Sequence, residues 1–183
     1  QAQGGIMSVT STDLRNVAIV GHNGTGKTSL MEQMLYCSGV IPKVETIESG
    51  KTVSDYTEEE IKKQISIHTS LSHLDWEGKC LNILDTPGYS GFIGEAICGF
   101  RATEASIMMV DARDGAQIET IKLWRRLDNR NKPRAVFINK MDRDRANYNN
   151  VITDLREHFD ATFVPTFIPM GEGEEFKGII NLV

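Results

Sequence analysis

The sequence predicts an α/β fold in which a mostly parallel central sheet carries helices on both faces. Short apolar runs alternate along the chain with amphipathic stretches of helical spacing. Strands that alternate with helices in this way are typical of βαβ units and a parallel sheet. The chain of 183 residues, 40% of them hydrophobic, is long enough to bury one core. Because ligands of such sheets bind at the carboxyl ends of the strands, we expect the functional residues there.

The first elements are a buried strand, a turn and a helix. Residues 15–20, with the sequence RNVAIV, form a continuous apolar run that is followed by glycines. Residues 27–38 place apolar side chains at helical spacing, which predicts a helix packed on the sheet. Residues 40–64 are polar and acidic, so we interpret them as a solvated surface loop; loops of this length are often functional.

A hairpin and further βα units follow. Residues 65–76 and 79–84 predict two strands joined by a turn at Glu77-Gly78. The later elements continue the alternation of apolar strands with amphipathic helices. They are strands at 105–110, 134–138 and 163–168, and helices at 118–127 and 146–159.

Composition and charge exclude several classes of protein. The net charge is −5, and nucleic-acid phosphates require a basic face, so we expect no direct DNA binding. No apolar run approaches the roughly 18 residues of a membrane span, so we expect no membrane association. Cys37, Cys80 and Cys98 are far apart and form no CxxC pair, which argues against a disulfide framework or zinc knuckle. We interpret them as buried, reduced thiols of a cytoplasmic, monomeric protein.

The most specific motif follows the first strand. Residues 21–28 match G-x-x-x-x-G-K-[ST], the phosphate-binding P-loop, and lie between a strand and a helix as that loop requires. Its glycines let the backbone wrap around phosphate oxygens, and the helix N-terminus adds positive potential. Lys27 is expected to reach the β- and γ-phosphates, and the Thr28 hydroxyl to ligate Mg2+. The predicted nucleotide-binding residues of this loop are Gly21, His22, Asn23, Gly24, Thr25, Gly26, Lys27, Thr28 and Ser29.

A second motif, Asp85-Thr86-Pro87-Gly88, follows the apolar run LNIL. Asp85 can hold Mg2+ through water, since this ion prefers oxygen ligands and keeps several waters. The backbone N–H of Gly88 can contact the γ-phosphate. D-x-P-G alone is usually a turn, but at a strand end downstream of a P-loop it predicts a metal and phosphate contact.

The third motif, Asn139-Lys140-Met141-Asp142, follows the strand AVFI and matches N-K-x-D. The Asp142 carboxylate can accept hydrogen bonds from N1–H and the exocyclic amine of guanine, and adenine lacks this pair of donors. The Lys140 stem can lie over the base, and Asn139 can bond the ring edge and brace the loop. The order and spacing of the three motifs predict a site for GTP and GDP.

With these motifs the chain resembles a translational GTPase, most closely of the elongation factor G family, from about Asp13 to Val183. The resemblance also includes residues 55–60, 63–67, 92–95 and 139–147. It implies a three-layer P-loop GTPase domain that hydrolyses GTP with Mg2+ as a switch on the ribosome.

The resemblance also sets an expected domain organisation. The family is a five-domain ribosomal translocase, and residues 7–183 would be most of its first domain. Residues 178–183 resemble the start of the family's insertion into that domain, and we expect the family's later domains to lie outside this sequence. The family's Ser-Ala loop, which packs on guanine, is absent after Asp142. We interpret residues 1–6 as a cloning remnant before a native start at Met7.

The resemblance implies roles in hydrolysis. The residues expected to act on the γ-phosphate and the attacking water are Lys27, Gly88 and Tyr89. The expected metal ligands are Thr28, Ser66 and Asp85. Residues 44–67 and 85–101 are expected to order around the γ-phosphate and to relax after hydrolysis. Residues 44–64 are therefore expected to be mobile without a γ-phosphate.

Several residues depart from the family pattern. Tyr89 replaces a histidine, as in elongation-factor-G-like paralogues, and Gly24 and Gly91 each replace an aspartate. Ser66 replaces a threonine. A phenol is uncharged at neutral pH, so Tyr89 cannot supply an imidazolium charge, and we expect slow hydrolysis. In the alternative interpretation, Tyr89 only packs beside Phe92.

Two other functions remain open. The chain could be a GTP-binding module with negligible turnover, which Tyr89 and Gly24 favour more than a standard factor would. It could also belong to a ribosome-protection or class-II release factor of the same superfamily.

Overall fold

The structure, a computed structural model, has a five-stranded central sheet with the order β2-β3-β1-β4-β5. It describes residues 10–183, and the predicted start at Met7 and remnant at 1–6 lie outside this range. Strand β2 is antiparallel to β3, and all other neighbours are parallel, which confirms the predicted α/β class. The strands are β1 (Leu14–Gly21), β2 (Ser70–Trp76), β3 (Lys79–Asp85), β4 (Ala105–Asp111) and β5 (Arg134–Asn139).

Helices cover both faces of this sheet and make three layers. On one face, Met31 of the first helix packs against Ile19 of β1 and Ile83 of β3. On the other face, Phe100 and Leu127 from two further helices pack against β1 and β4. The helices are α1 (Lys27–Cys37), α2 (Glu58–Lys63), α3 (Ile93–Ala102), α4 (Ile118–Asp128) and α5 (Tyr148–His158). None of the helices in residues 10–183 is long and apolar enough to cross a membrane.

Strand β2 begins at Ser70, so the predicted strand at 65–76 is too long. The backbone N–H groups of Ile67 and His68 both donate to one carboxylate oxygen of Glu60. The N–H of Thr69 donates to the carboxylate of Glu95. Since side chains take the hydrogen bonds that a neighbouring strand would need, this stretch cannot join the sheet.

The predicted strand at 163–168 begins four residues too early, since the observed strand starts at Phe167. The chain instead forms a separate antiparallel hairpin of β6 (Phe167–Met170) and β7 (Gly178–Asn181). Phe163 packs on the core, with its ring centroid 5.5 Å from that of Trp124. Its apolar side chain therefore closes the core next to α4 without belonging to a strand.

Two helices lie where none was predicted, one of them inside the segment interpreted as a loop. Residues 40–64 include α2, which begins with a capping box of Thr57 and Glu60. Helix α3 was missed because its sequence contains two glycines, which disfavour helix. A Cβ at Gly99 would lie 2.7 Å from the methyl group of Thr86, so this glycine lets α3 approach the end of β3 closely.

The cysteines only partly match expectation. Cys80 is buried, whereas Cys37 and Cys98 are exposed, so the prediction of three buried thiols is wrong. Both exposed cysteines belong to helices, and their side chains lie on the outer surfaces of α1 and α3. At the far edge of the sheet, Ala135 and Phe137 of β5 are also exposed.

Candidate nucleotide site

The three sequence motifs meet at the carboxyl ends of the parallel strands. Gly21 ends β1, Asp85 ends β3 and Asn139 ends β5. Ile19 is in register with Asp85, and Asp111 at the end of β4 is in register with Asn139. The parallel pairing therefore gathers residues that are far apart in sequence at one edge of the sheet, as expected.

Lys27 lies at the first position of α1, directly after the left-handed Gly26. Its side chain is buried, and its Nζ donates to the backbone carbonyl of His22 at 3.0 Å. Burial lowers the pKa of Lys27 to about 8, although the carboxylates of Asp85 and Asp55 oppose the shift. An anion in the loop would compensate this desolvated ammonium, which is the requirement of a phosphate site.

Thr28, Asp85 and Ser66 come together beside Lys27. The Thr28 hydroxyl donates to Asp85 Oδ2 at 2.7 Å and lies 3.3 Å from the Ser66 hydroxyl. The other carboxylate oxygen of Asp85 is buried with no hydrogen-bond partner. Burial raises the pKa of Asp85 to about 6, although the hydrogen bond from Thr28 and the positive charge of Lys27 both lower it. Two hydroxyls and a buried carboxylate with a free oxygen fit a hard cation such as Mg2+.

Asp55 is a site residue that sequence reasoning missed. Both of its carboxylate oxygens are buried without a hydrogen-bond partner of good geometry, and so is the Ser54 hydroxyl. Burial raises the pKa of Asp55, and the charge of Lys27 and the nearby Ser66 hydroxyl oppose the rise. Only its inclusion in the family-like stretch 55–60 could have drawn attention to it. It adds two oxygens to the same cluster.

Glycine is required where the loops pack on one another. A Cβ at Gly88 would fall on the Lys27 ammonium and 2.7 Å from the backbone nitrogen of Asn23. A Cβ at Gly21 would lie 2.5 Å from the carbonyl oxygen of Met109. Gly88 therefore lies directly against the P-loop, where its backbone was expected to act. Gly21, the first glycine of the P-loop, instead allows β1 to lie close to Met109 of β4.

The base-recognition loop is braced as the sequence suggested. Asn139 Nδ2 donates to the backbone carbonyl of Thr25 at 2.8 Å, which joins this loop to the P-loop. The Asp142 side chain is 65% exposed, and its carboxylate lies 3.8 Å from the Arg143 guanidinium, a long contact that leaves it accessible from solvent. Ser29 and Asn139 also line an open groove of about 470 Å3.

Asp111 orders the lysine of this loop and was not predicted. Its carboxylate lies 2.9 Å from Lys140 Nζ and accepts two hydrogen bonds from the Arg113 guanidinium. Burial alone would raise the pKa of Asp111, but Arg113 and Lys140 hold it well below its ordinary value. Its position, as a charged residue at the end of an apolar strand, was the sequence feature that could have identified Asp111.

Two buried glutamates hold the segment that was interpreted as a surface loop. Glu32 on α1 accepts from the backbone N–H groups of Glu45 at 3.2 Å and Val53 at 2.6 Å. Glu60 holds residues 67 and 68 and caps its own helix. Most of residues 40–64 are exposed, as expected of a solvated surface segment, but Thr52, Ser54, Asp55 and Glu60 are buried, and carboxylates anchor the stretch in place of apolar side chains. Its mobility without a γ-phosphate stays a prediction.

Tyr89 and His22 border the site. The Tyr89 ring is 52% exposed, and its centroid lies 5.9 Å from that of Phe92. This is the packing that the alternative interpretation described, while a contact with a γ-phosphate or water stays a prediction.

His22 Nδ1 lies 3.1 Å from the hydroxyl of buried Thr120, which ties the P-loop to α4. Burial and the charge of Lys27 lower the pKa of His22. Gly24 has a φ of 80° and faces open space.

Comparison with protein families finds a match over nearly the whole chain. Residues 12–179 match the family described as the elongation factor Tu GTP binding domain. A crystal structure of a Thermus thermophilus protein aligns with a TM-score of 0.86 and 34% identity, over 91% of this chain and 25% of that one.

Curated relatives carry translation-factor names. An elongation factor G-like protein of Thermotoga maritima is 41% identical over 93% of this chain, and one of Mycobacterium tuberculosis is 36% identical over 87%. The mitochondrial ribosome-releasing factor 2 of Bos taurus is 34% identical over 93%. The chain spans only 24%, 22% and 22% of these proteins, respectively, which is about a quarter of their length.

Proposed function

The chain belongs to the elongation factor Tu GTP-binding domain family, and we propose that it binds GTP with Mg2+ and hydrolyses it as a switch on the ribosome. The observation that carries this proposal is the buried cluster of Lys27, Thr28 and Asp85, in which one Asp85 oxygen lacks a partner. The cluster combines a desolvated cation for phosphate with an oxygen donor set for a metal.

In this proposal the chain acts by positioning and by neutralising charge. Lys27 and the P-loop amides hold the β- and γ-phosphates, and the Gly88 N–H contacts the γ-phosphate. Thr28, Ser66 and Asp85 would hold Mg2+, and Asp55 would add further oxygens to the site. When bound, Mg2+ neutralises developing charge on the β- and γ-phosphate oxygens.

The loop of residues 139–142 is proposed to recognise the base. Asp142 accepts two hydrogen bonds from guanine, and Lys140, oriented by Asp111, covers the base. Asn139 keeps this loop in a fixed relation to the P-loop. The exposure of Asp142 supports this role, because the carboxylate has no strong partner to give up before it binds a base.

We propose that ribosome binding belongs to a longer protein, in which residues 7–183 form one domain. Its relatives include elongation factor G-like proteins and a ribosome-releasing factor, so translocation and ribosome release are both compatible with this domain. The domain is proposed to act in the cytoplasm as a monomer. A GTP-binding module with negligible turnover is the second candidate, which the exposed phenol of Tyr89 favours.

Single-turnover hydrolysis of GTP, with and without ribosomes, tests the proposal. Turnover that ribosomes accelerate supports the switch. Tight GTP binding with no turnover in either condition supports the binding module. Absence of guanine-nucleotide binding in a folded protein contradicts both. Lys27→Met, which removes the buried ammonium, should abolish nucleotide binding, whereas Lys51→Met at an exposed position of the neighbouring segment is the matched control.

A further inference from the structure

The β2–β3 hairpin places three different ligand types together, away from the nucleotide site. His73 and Asp75 lie on β2 and Cys80 lies on β3, and their ligand atoms are all within 4.8 Å of one another. Asp75 Oδ1 is 3.0 Å from Cys80 Sγ and 3.6 Å from His73 Nε2.

Strand register explains this grouping. The hairpin turns at Glu77 and Gly78, with φ of 49° and 74°, which fits a two-residue type I′ turn. The turn sets Asp75 opposite Cys80 and His73 opposite Asn82 in the antiparallel ladder. Residues two apart on a strand share a face, so the four side chains form one square patch on one face of the sheet.

A chain of hydrogen bonds orients the histidine ring. Glu104 can only accept, and it receives a hydrogen bond from Asn16 Nδ2 at 3.0 Å. The side-chain oxygen Oδ1 of Asn16 then accepts from Asn82 Nδ2 at 2.8 Å, so Asn82 turns its own Oδ1 toward His73 Nδ1, 3.1 Å away. Nδ1 is therefore the nitrogen that donates to Asn82, and Nε2 is the ring nitrogen that faces Asp75 and is left for a metal.

We propose that His73, Asp75 and Cys80 form a site for a zinc-class divalent transition-metal ion. His73 Nε2 and Asp75 Oδ1 face each other at 3.6 Å, and Cys80 Sγ lies 3.0 Å from the same oxygen, so one ion can reach all three ligand atoms. Nitrogen, oxygen and sulfur donors are the ligands of Zn2+, and three protein ligands leave the fourth tetrahedral position for water. Asn82 supplies the outer hydrogen bond that fixes a ligating histidine. Binding replaces the Cys80 thiol proton, which is released to solvent.

This site differs from the nucleotide-linked one in ligand chemistry and in place. The Thr28 and Asp85 cluster offers only oxygen, which suits Mg2+, whereas a thiol and an imidazole select a softer ion. His73 and Asp75 are each more than half exposed, so an ion can enter from solvent. An ion there would join β2 to β3 close to the turn.

Metal titration tests the proposal on protein that holds excess Mg2+ and GDP, which keep the nucleotide site occupied. Zn2+ is titrated against a chromophoric chelator, and Co2+ binding is followed by the near-ultraviolet charge-transfer band of a cobalt–thiolate bond. One equivalent of each metal is expected to bind. Cys80→Ser should abolish the band, and His73→Asn should weaken Zn2+ binding by more than about tenfold. Asn82→Ala should weaken it by about tenfold.

Matched controls separate this site from other thiols and imidazoles. Cys37→Ser and Cys98→Ser remove exposed thiols, and His158→Asn removes a histidine that pairs only with Asp154. All three should bind Zn2+ as the parent does. Unchanged Zn2+ affinity in both Cys80→Ser and His73→Asn, absence of a thiolate band in the parent, or no Zn2+ binding at micromolar concentration would overturn the proposal. If Cys80→Ser fails to fold, Asp75→Asn at an exposed position takes its place, and unchanged Zn2+ affinity in that variant would overturn the proposal equally.

Discussion

The side-chain amide of Asn139 donates a 2.8 Å hydrogen bond to the backbone carbonyl of Thr25. The two residues are 114 positions apart, and the bond joins the base-recognition loop to the loop proposed to hold phosphates. A Cβ at Gly26 would lie 2.5 Å from the same amide nitrogen, so the two loops are in close contact. The loops proposed to recognise the base and the phosphates therefore share one direct hydrogen bond.

Removing this connection should weaken nucleotide binding as a whole. Asn139→Ala leaves the Thr25 carbonyl without its partner, which costs about 1–3 kcal/mol. We expect GDP affinity to fall by roughly tenfold to a hundredfold by calorimetry. Asn129→Ala, at an exposed position after α4, should bind GDP as the parent does. Equal affinities for the two variants would show that the bond is dispensable.

Base preference should depend on Asp142. Each charge-assisted hydrogen bond is worth roughly 1.5–3 kcal/mol, so the parent should prefer GDP to ADP strongly. Asp142→Asn keeps one acceptor but loses the charge, and it should reduce the preference by about tenfold or more. Asp144→Asn alters a fully solvated carboxylate of the same loop and is the control. Comparable binding of GDP and ADP by the parent protein would refute the guanine assignment.

Asp85 should make the stability of the metal-free, nucleotide-free protein depend on pH. Burial raises its pKa from 3.8 to about 6, so its contribution to stability is full below about pH 4 and is lost as pH rises through about 6. Asp85→Asn removes this buried charge. Its free energy of unfolding should exceed that of the parent by roughly 2–3 kcal/mol at about pH 7.5.

Urea unfolding in a chelating buffer measures this difference, which should disappear below about pH 4. Asp160→Asn, at an exposed position, should show no such pH dependence. A stability gain for Asp85→Asn that is as large at about pH 3.5 as at about pH 7.5 would mean that the carboxylate charge is not its cause.

The Glu32 carboxylate should control the segment that precedes α2. Glu32→Gln has one oxygen left for two backbone amides, so Glu45 or Val53 loses its partner. With about 1–1.5 kcal/mol lost, we expect that amide to exchange hydrogen roughly tenfold faster. Glu59→Gln changes an exposed carboxylate of α2 and should leave the exchange of these two amides unaltered. Faster exchange throughout the protein would indicate global destabilisation instead.

Tyr89 should decide how fast the domain hydrolyses GTP. A neutral phenol lacks the positive charge of an imidazolium, and losing one preorganised donor typically costs about 100–1,000-fold. Tyr89→His should therefore accelerate ribosome-stimulated turnover in the full-length protein without changing GTP affinity. Tyr56→Phe, another exposed tyrosine, is the control for Tyr89→Phe. If Tyr89→Phe hydrolyses GTP as fast as the parent, the ring only packs beside Phe92.

The strands and the phosphate site were predictable because their signals are local. The run RNVAIV, the glycines after it and Lys27 are contiguous, and backbone geometry brings the carboxyl ends of parallel strands together. The predicted start of α1 at residue 27 is confirmed, and its predicted end at 38 lies one residue beyond the helix. The strand, the glycines and the lysine that define the P-loop motif therefore all lie in one short stretch of sequence.

The anchors of the site were not predictable because they depend on tertiary partners. Glu32 is a charged residue on the buried side of α1, and nothing near it in sequence identifies Glu45 and Val53 as its partners. The pairing of Asp111 with Lys140 likewise joins two strand ends. Residues 65–69 alternate like a strand, but Glu60 takes the amides that a strand would pair.

The unpaired outer edge of β5 favours aggregation of the purified protein. Within residues 10–183, β5 pairs on one side only, with β4, and Ala135 and Phe137 expose apolar surface beside its free edge. Unpaired backbone groups beside apolar side chains are a template for another strand. At high protein concentration we therefore expect copies of the otherwise monomeric domain to associate through this edge. Aggregation in a preparation should rise with protein concentration, and a charged side chain in place of Phe137 should improve solubility.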